Sequence, residues 1–221
     1  MLYGSYKNAR NAAWQCLLDF NISELPVKPS TIAKQSGIKI IKNSSINELS
    51  KGESGATYLI NSKWYIVYND TEPRQRSRFT VAHELGHILL GHIMCDKHYA
   101  RTFDTSRPTI EQEADVFAAR LLAPACVLWA LNVHTPQDIS ELCDISLAAA
   151  QVRSERMEIL YSRNKFLTSP LEKAVYCATE SPRKYLGLEI PSLSVGYDAS
   201  FNVVDERGKV TEVYSKGKKV L

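Results

Sequence analysis

The stretch VAHELGHILLGH, residues 81–92, constrains this chain more than any other. Ala82, Leu85, Leu89 and Ile93 form one apolar stripe beside His83 and His87, and Val81 and Ile88 occupy much of the back. A helix that is apolar nearly all round is normally buried. Burying two imidazoles and a carboxylate without partners costs several kcal/mol, and a bound divalent cation removes most of that cost. Geometry permits such a site. At about 100° per residue, His83 and His87 point only about 40° apart, one turn along the same face. Glu84 sits further round, where it meets a water on the ion rather than the ion itself. The bland alternative, a core helix with fortuitous polar residues, leaves all three groups uncompensated.

H-E-x-x-H is the arrangement of zinc hydrolases, whose metal normally holds three protein ligands and keeps a fourth position for water. Two histidines therefore need a third ligand. His92 lies about 180° from His83 on a continuous helix and reads as a helix-end residue, exposed or hydrogen-bonded. The extended three-histidine pattern asks for glycine at Leu90 and histidine at Ile93, which excludes that class. His98 and His134 have no positional support. The helix EQEADVFAARLLA offers more: Glu111, Asp115, Ala118 and Leu122 share one stripe, while Glu113 falls about 200° from Glu111. Glu111 as the third ligand and Asp115 as a hydrogen-bond acceptor for a ligating imidazole make sense of a carboxylate pair on a buried stripe. The competing reading is an ordinary acidic first turn. E-x-x-x-D downstream of H-E-x-x-H is the gluzincin pattern.

The surrounding chain is consistent with a globular domain. Its 221 residues can bury a real core, and the net charge of +3 does not call for a nucleic-acid partner. Five cysteines without a C-x-x-C pair fit free thiols in a reducing cytoplasm. No signal-peptide pattern opens the chain, and the run 117–133 is broken by Arg120 and Pro124, so no membrane span is expected. Helical spacing of Ala9, Ala13, Leu17 and Phe20 predicts a first helix over 5–20. A short helix capped by Ser30 or Thr31 should end at Gly37, followed by a strand at 38–42. Residues 56–60 and 63–69 flank Asn61-Ser62 as a β-hairpin. Asp70 or Thr71 should cap the histidine helix, with Arg74, Arg76 and Arg78 solvated. Thr109 and Gln112 have capping-box spacing for the acidic helix, which Pro124 stops while opening the next. Two more helices are expected at 137–142 and 147–160, and a terminal hairpin at 201–214 turning at Arg207-Gly208. The expected fold is α+β, a small antiparallel sheet of about three strands on helices. Its divisions are a metallopeptidase domain at 1–133, a helix-turn-helix-like segment at 134–165 and an extension at 166–221.

These segments together resemble the ImmA/IrrE-type metallo-endopeptidases of bacteria, phages and integrative elements. ARNAAWQCLLDF and LPVKPSTIAKQSGIKI resemble that family's N-terminal region, RFTVAHELGHILLGH and EQEADVFAARLLAP its two active-site segments, and DISLAAAQVRSERMEIL its downstream helix. The likeness spans residues 8–163. It implies one Zn2+ held by His83, His87 and Glu111, with Glu84 as general base. Asp115 stands where several members have Asn, and either side chain accepts a hydrogen bond; Ala123 is smaller than the residue usually found before the proline. The resemblance further implies a protein substrate, a helix-turn-helix transcriptional repressor of mobile-element or stress genes.

Two competing readings stand beside it. Residues 138–160 scan like a helix-turn-helix, with Arg153 and Arg156 in the second helix, but Glu155 and Glu158 share that helix and direct DNA binding is not the expectation. A non-catalytic metal site in an interaction protein would need no Glu84. Candidate oxyanion donors are Tyr58, Tyr65, Tyr68, His98 and Tyr99. The edge of the 56–69 hairpin is a candidate surface for pairing with substrate backbone.

Overall fold

A computed structural model describes residues 3–22, 24–92 and 109–166, together with the strand backbones at 201–204, 210–215 and 218–219. Helix α1 (Tyr3–Asp19) buries Ala9, Ala13 and Leu17 as their spacing predicts. Helix α2 (Pro29–Gln35) starts from Lys28, not Ser30 or Thr31. Proline at its first position needs no N–H partner, and that decides where the helix starts. Gly37 ends it at φ +72°.

Strands β1 (Lys39–Lys42), β2 (Gly55–Ile60) and β3 (Lys63–Tyr68) form one sheet in the order β1-β3-β2, with a short helix α3 (Asn43–Ile46) between the first two. The hairpin β2–β3 is as read: Asn61 and Ser62 both take positive φ, 49° and 59°, as a two-residue hairpin turn requires. The expectation of a purely antiparallel sheet fails, because β1 pairs parallel with β3 (Lys39↔Tyr65 through Lys42↔Tyr68). The chain between them, residues 43–62, contains α3 and β2 and is long enough to return to the starting edge. A strand's own side-chain alternation carries no record of its neighbour's direction.

Helix α4 (Arg74–Leu89) lies against this sheet and against α5 (Thr109–Leu122). Its cap is Pro73, with no side-chain cap bond, in place of the expected Asp70 or Thr71. Asp70 instead accepts the Ser44 N–H and hydroxyl at 3.0 and 2.7 Å, fastening α3. Arg74 stays on the surface and Arg76 pairs with Glu72 one turn away. Arg78, read as solvated, is not. Only 14% of its side chain is exposed, and it pairs with Asp144 at 2.7 Å. It also donates to the carbonyls of Val27, Cys143 and Asp144.

Pro124 ends α5 and caps α6 (Ala125–Ala130). Thr135 and Ser146 accept the cap N–H groups of α7 (Pro136–Cys143) and α8 (Leu147–Ser162), and Asp144 turns between them at φ 50°. Trp14, Leu85, Phe117, Leu121, Leu128 and Met157 anchor a continuous core under these helices. Among the described residues no helix is long and apolar enough to cross a membrane. The fold is α+β.

The contacts divide the chain into two compact units, Met1–Thr179 and Glu180–Leu221. In the second, β4 (Phe201–Val204), β5 (Val210–Ser215) and β6 (Lys218–Lys219) form an antiparallel sheet in that order. The expected pairing is present, Phe201 opposite Tyr214; the expected turn at Arg207-Gly208 lies outside the described residues.

Candidate metal centre

Every residue of α4 from Thr80 to His87 is buried. Two glycines let the neighbouring elements come this close. A Cβ at Gly86 would stand 3.0 Å from Phe117 Cδ1 on α5, and one at Gly55 on β2 would stand 2.4 Å from Thr80 Cγ2. The sheet and α5 therefore pack directly on the helix that carries the histidines.

This packing brings three of the sequence-selected residues together. His83 Nε2 and His87 Nε2 lie 3.0 Å apart, and the Glu111 carboxylate reaches each of them at 3.3 Å. One ligand atom from each residue falls within 4.8 Å of the others, and the group could hold a metal ion. The donor set fits such an ion on chemical grounds. Asp115 Oδ1 lies 2.9 Å from His83 Nδ1, so a neutral His83 carries its proton there and directs a lone pair at His87 and Glu111. Lone pairs converging in this way suit a cation between them. Two nitrogens each about 2.0–2.1 Å from a tetrahedral ion stand about 3.3–3.4 Å apart, close to the spacings here. Burial would raise the Glu111 carboxyl, but the two imidazoles more than offset it and hold it well below the ordinary carboxylate range.

Glu84 makes a separate contact. Its Oε2 accepts a 2.8 Å bond from the Thr57 hydroxyl of β2, both side chains buried. Sequence reasoning did not find Thr57. Strand alternation gave no signal for it, because Gly55, Ala56 and Thr57 are buried in succession.

His92 was half legible. It does sit beyond the helix end and is hydrogen-bonded, yet its side chain is only 6% exposed. Its Nδ1 lies 3.2 Å from His87 Nδ1, and its Nε2 lies 2.8 Å from Glu113 Oε2. The angular estimate assumed a helix running on to residue 92. Gly91 instead takes φ +71° and reverses the chain, with the His92 N–H bonded to the His87 carbonyl at 2.9 Å. Burial pushes the His92 imidazole down, toward the neutral form. His134 is exposed and away from the cluster, bonding Asn132, while His98 and Tyr99 lie outside the described residues. In the α7–α8 pair Arg153 is turned inward to the Ala123 carbonyl, which leaves Arg156 as the exposed arginine of the two.

Two imidazoles one helical turn apart and a carboxylate from a second helix, converging in a buried cluster, define a candidate single-ion centre of the kind hydrolases use. The family model of IrrE N-terminal-like domains, peptidase family M78, matches residues 33–155, more than half the chain. The protein belongs to this family, and its function is of the metallopeptidase type, acting on a protein substrate. A comparison with curated proteins gives no match.

Proposed function

We propose that this protein is a zinc-dependent endopeptidase, with His83, His87 and Glu111 as ligands and Glu84 as general base. Its proposed substrate is a helix-turn-helix transcriptional repressor, so that cleavage acts as anti-repression in the cytoplasm. The observation that carries the reading is the convergence of the two Nε2 atoms and the Glu111 carboxylate at 3.0–3.3 Å, both histidines lying on the helix that also carries Glu84. A divalent cation bound there would polarise a scissile carbonyl and bring the pKa of a coordinated water to about 7.

The chain's own groups do the rest. Asp115 holds the His83 ring by its Nδ1 proton. Thr57 fixes one oxygen of Glu84, leaving that carboxylate to take a proton from the attacking water and return it to the departing amine. Strand β2 is an edge strand in the sheet order β1-β3-β2 and touches Glu84 through Thr57, which suits it to pair with extended substrate backbone. Tyr58 on that strand is a candidate oxyanion donor; burial and nearby carboxylates push its phenol up, so it stays a proton donor.

The test is co-incubation of the protein with a repressor encoded beside it, comparing wild type with Glu84→Gln. Defined fragments with wild type alone, and equal Zn2+ content in both proteins, are expected. Fragments of the same size and rate from Glu84→Gln would refute the mechanism. A repressor left intact by a zinc-loaded wild type, alongside cleavage of other unfolded proteins, would refute the substrate but not the chemistry.

A further inference from the structure

Both candidate histidine ligands must present an unprotonated Nε2, and the carboxylate described above, Asp115, supports His83. The Nδ1 of His87 has a different neighbour. What stands there, at 3.2 Å, is the Nδ1 of His92, whose other nitrogen lies 2.8 Å from the Glu113 carboxylate. The hydrogen-bonding capacities of these groups dictate the proton positions. An ionised carboxylate only accepts, so His92 carries its proton on Nε2 and donates it to Glu113. A neutral imidazole has one N–H, so His92 Nδ1 is a lone pair and can only accept. The proton between the two Nδ1 atoms therefore belongs to His87. That leaves the His87 lone pair on Nε2, facing His83 Nε2 at 3.0 Å and Glu111 at 3.3 Å.

The geometry points to His92 and Glu113 as positioning residues: a two-step relay that fixes the tautomer and ring orientation of His87 for metal binding. This rests on the reading of His83, His87 and Glu111 as ligands. It gives the centre two unlike supports, a carboxylate acting directly on one imidazole and a carboxylate acting through a second imidazole on the other. Helix α5 supplies both terminal carboxylates. Asp115 reaches His83 directly, while Glu113, two residues along α5 from Glu111, meets His92, which lies beyond the end of α4. The reversal at Gly91 puts His92 there. Its imidazole is edge-on to His87, with ring centroids 5.2 Å apart and planes at 71°, so one ring nitrogen can meet another in line.

The test uses the full chain, stripped of metal and titrated with Zn2+ against a chromophoric chelator, together with side-chain nitrogen NMR of the histidines. In the zinc-loaded wild type, His87 should carry its proton on Nδ1 and His92 on Nε2. His92→Phe should weaken Zn2+ binding about 10- to 100-fold, the usual cost of losing such an outer partner. His92→Gln, whose carboxamide oxygen can still accept from His87, should recover most of that loss. Glu113→Gln keeps an acceptor but loses its charge, and should weaken binding about fivefold. It also carries the test if His92→Phe fails to fold. A wild type that binds Zn2+ while His92→Phe binds as tightly, or in which the His87 proton sits on the nitrogen facing the cluster, overturns the relay and leaves the ligand reading intact. A wild type that takes up no Zn2+ overturns both.

Discussion

Gly86→Ala separates local helix preference from the packing that assembles the site. In an exposed helix interior this substitution gains about 1 kcal/mol. Here the new methyl would stand 3.0 Å from Phe117 Cδ1 and 3.3 Å from two further atoms of that side chain. Carbon atoms prefer about 3.5–4.0 Å, so roughly half an ångström must be found. Phe117 is fully buried and has no room to swing aside, which leaves α5 to move as a body. Overpacking of this kind costs about 1–3 kcal/mol, so the net effect should be about 0–2 kcal/mol of destabilisation in place of a gain. Glu111 rides on the displaced helix. A drift of about half an ångström is at the edge of what a coordination site tolerates, and Zn2+ affinity should fall about tenfold. Urea unfolding of the metal-free protein gives the first quantity and chelator competition the second. Gly4→Ala is the internal control, because a Cβ there meets nothing within 4 Å. Should Gly86→Ala stabilise the protein as much as the control and bind zinc unchanged, the close packing of α4 on α5 would not be what sets the site.

Thr57→Val keeps the shape of the strand but removes the donor to Glu84; kcat on a cleavable peptide should drop about 10- to 100-fold while Zn2+ affinity, read by chelator competition, holds steady. Arg78→Met leaves Asp144 and three carbonyls without their buried guanidinium and should cost about 3 kcal/mol in urea unfolding; an unchanged midpoint would mean that the pair contributes nothing.

What the sequence made legible was what repeats within one element. The spacing of Ala9, Ala13 and Leu17 located the buried face of α1, Asn61-Ser62 located a hairpin turn, and positions 83, 87 and 111 each lay on a stripe that turned out to face the others. What stayed hidden depends on meetings between elements. The parallel neighbour of β1 is chosen by a connection, not by its side chains. Arg78 looked like one of three surface arginines because its acceptors lie at residues 27, 143 and 144, invisible to any local window. Pro73 stands as the cap where Asp70 was expected, and Asp70 bonds Ser44 instead, a partner 26 residues away. His92 is the hydrogen-bonded helix-end residue expected, but its partners stayed hidden because the helical wheel was continued past a glycine that ends the helix.

The guanidinium of residue 78 joins three stretches that are far apart in the chain, reaching from the histidine helix to the start of α2 and to the bend between the last two helices. Donor and acceptors therefore have to be kept together. Chimeras that exchange the α7–α8 pair between relatives should tolerate the swap only when the bend still offers its carbonyls and an acid to that arginine. Otherwise the damage would surface in the helix that bears the histidines, far along the sequence from the graft.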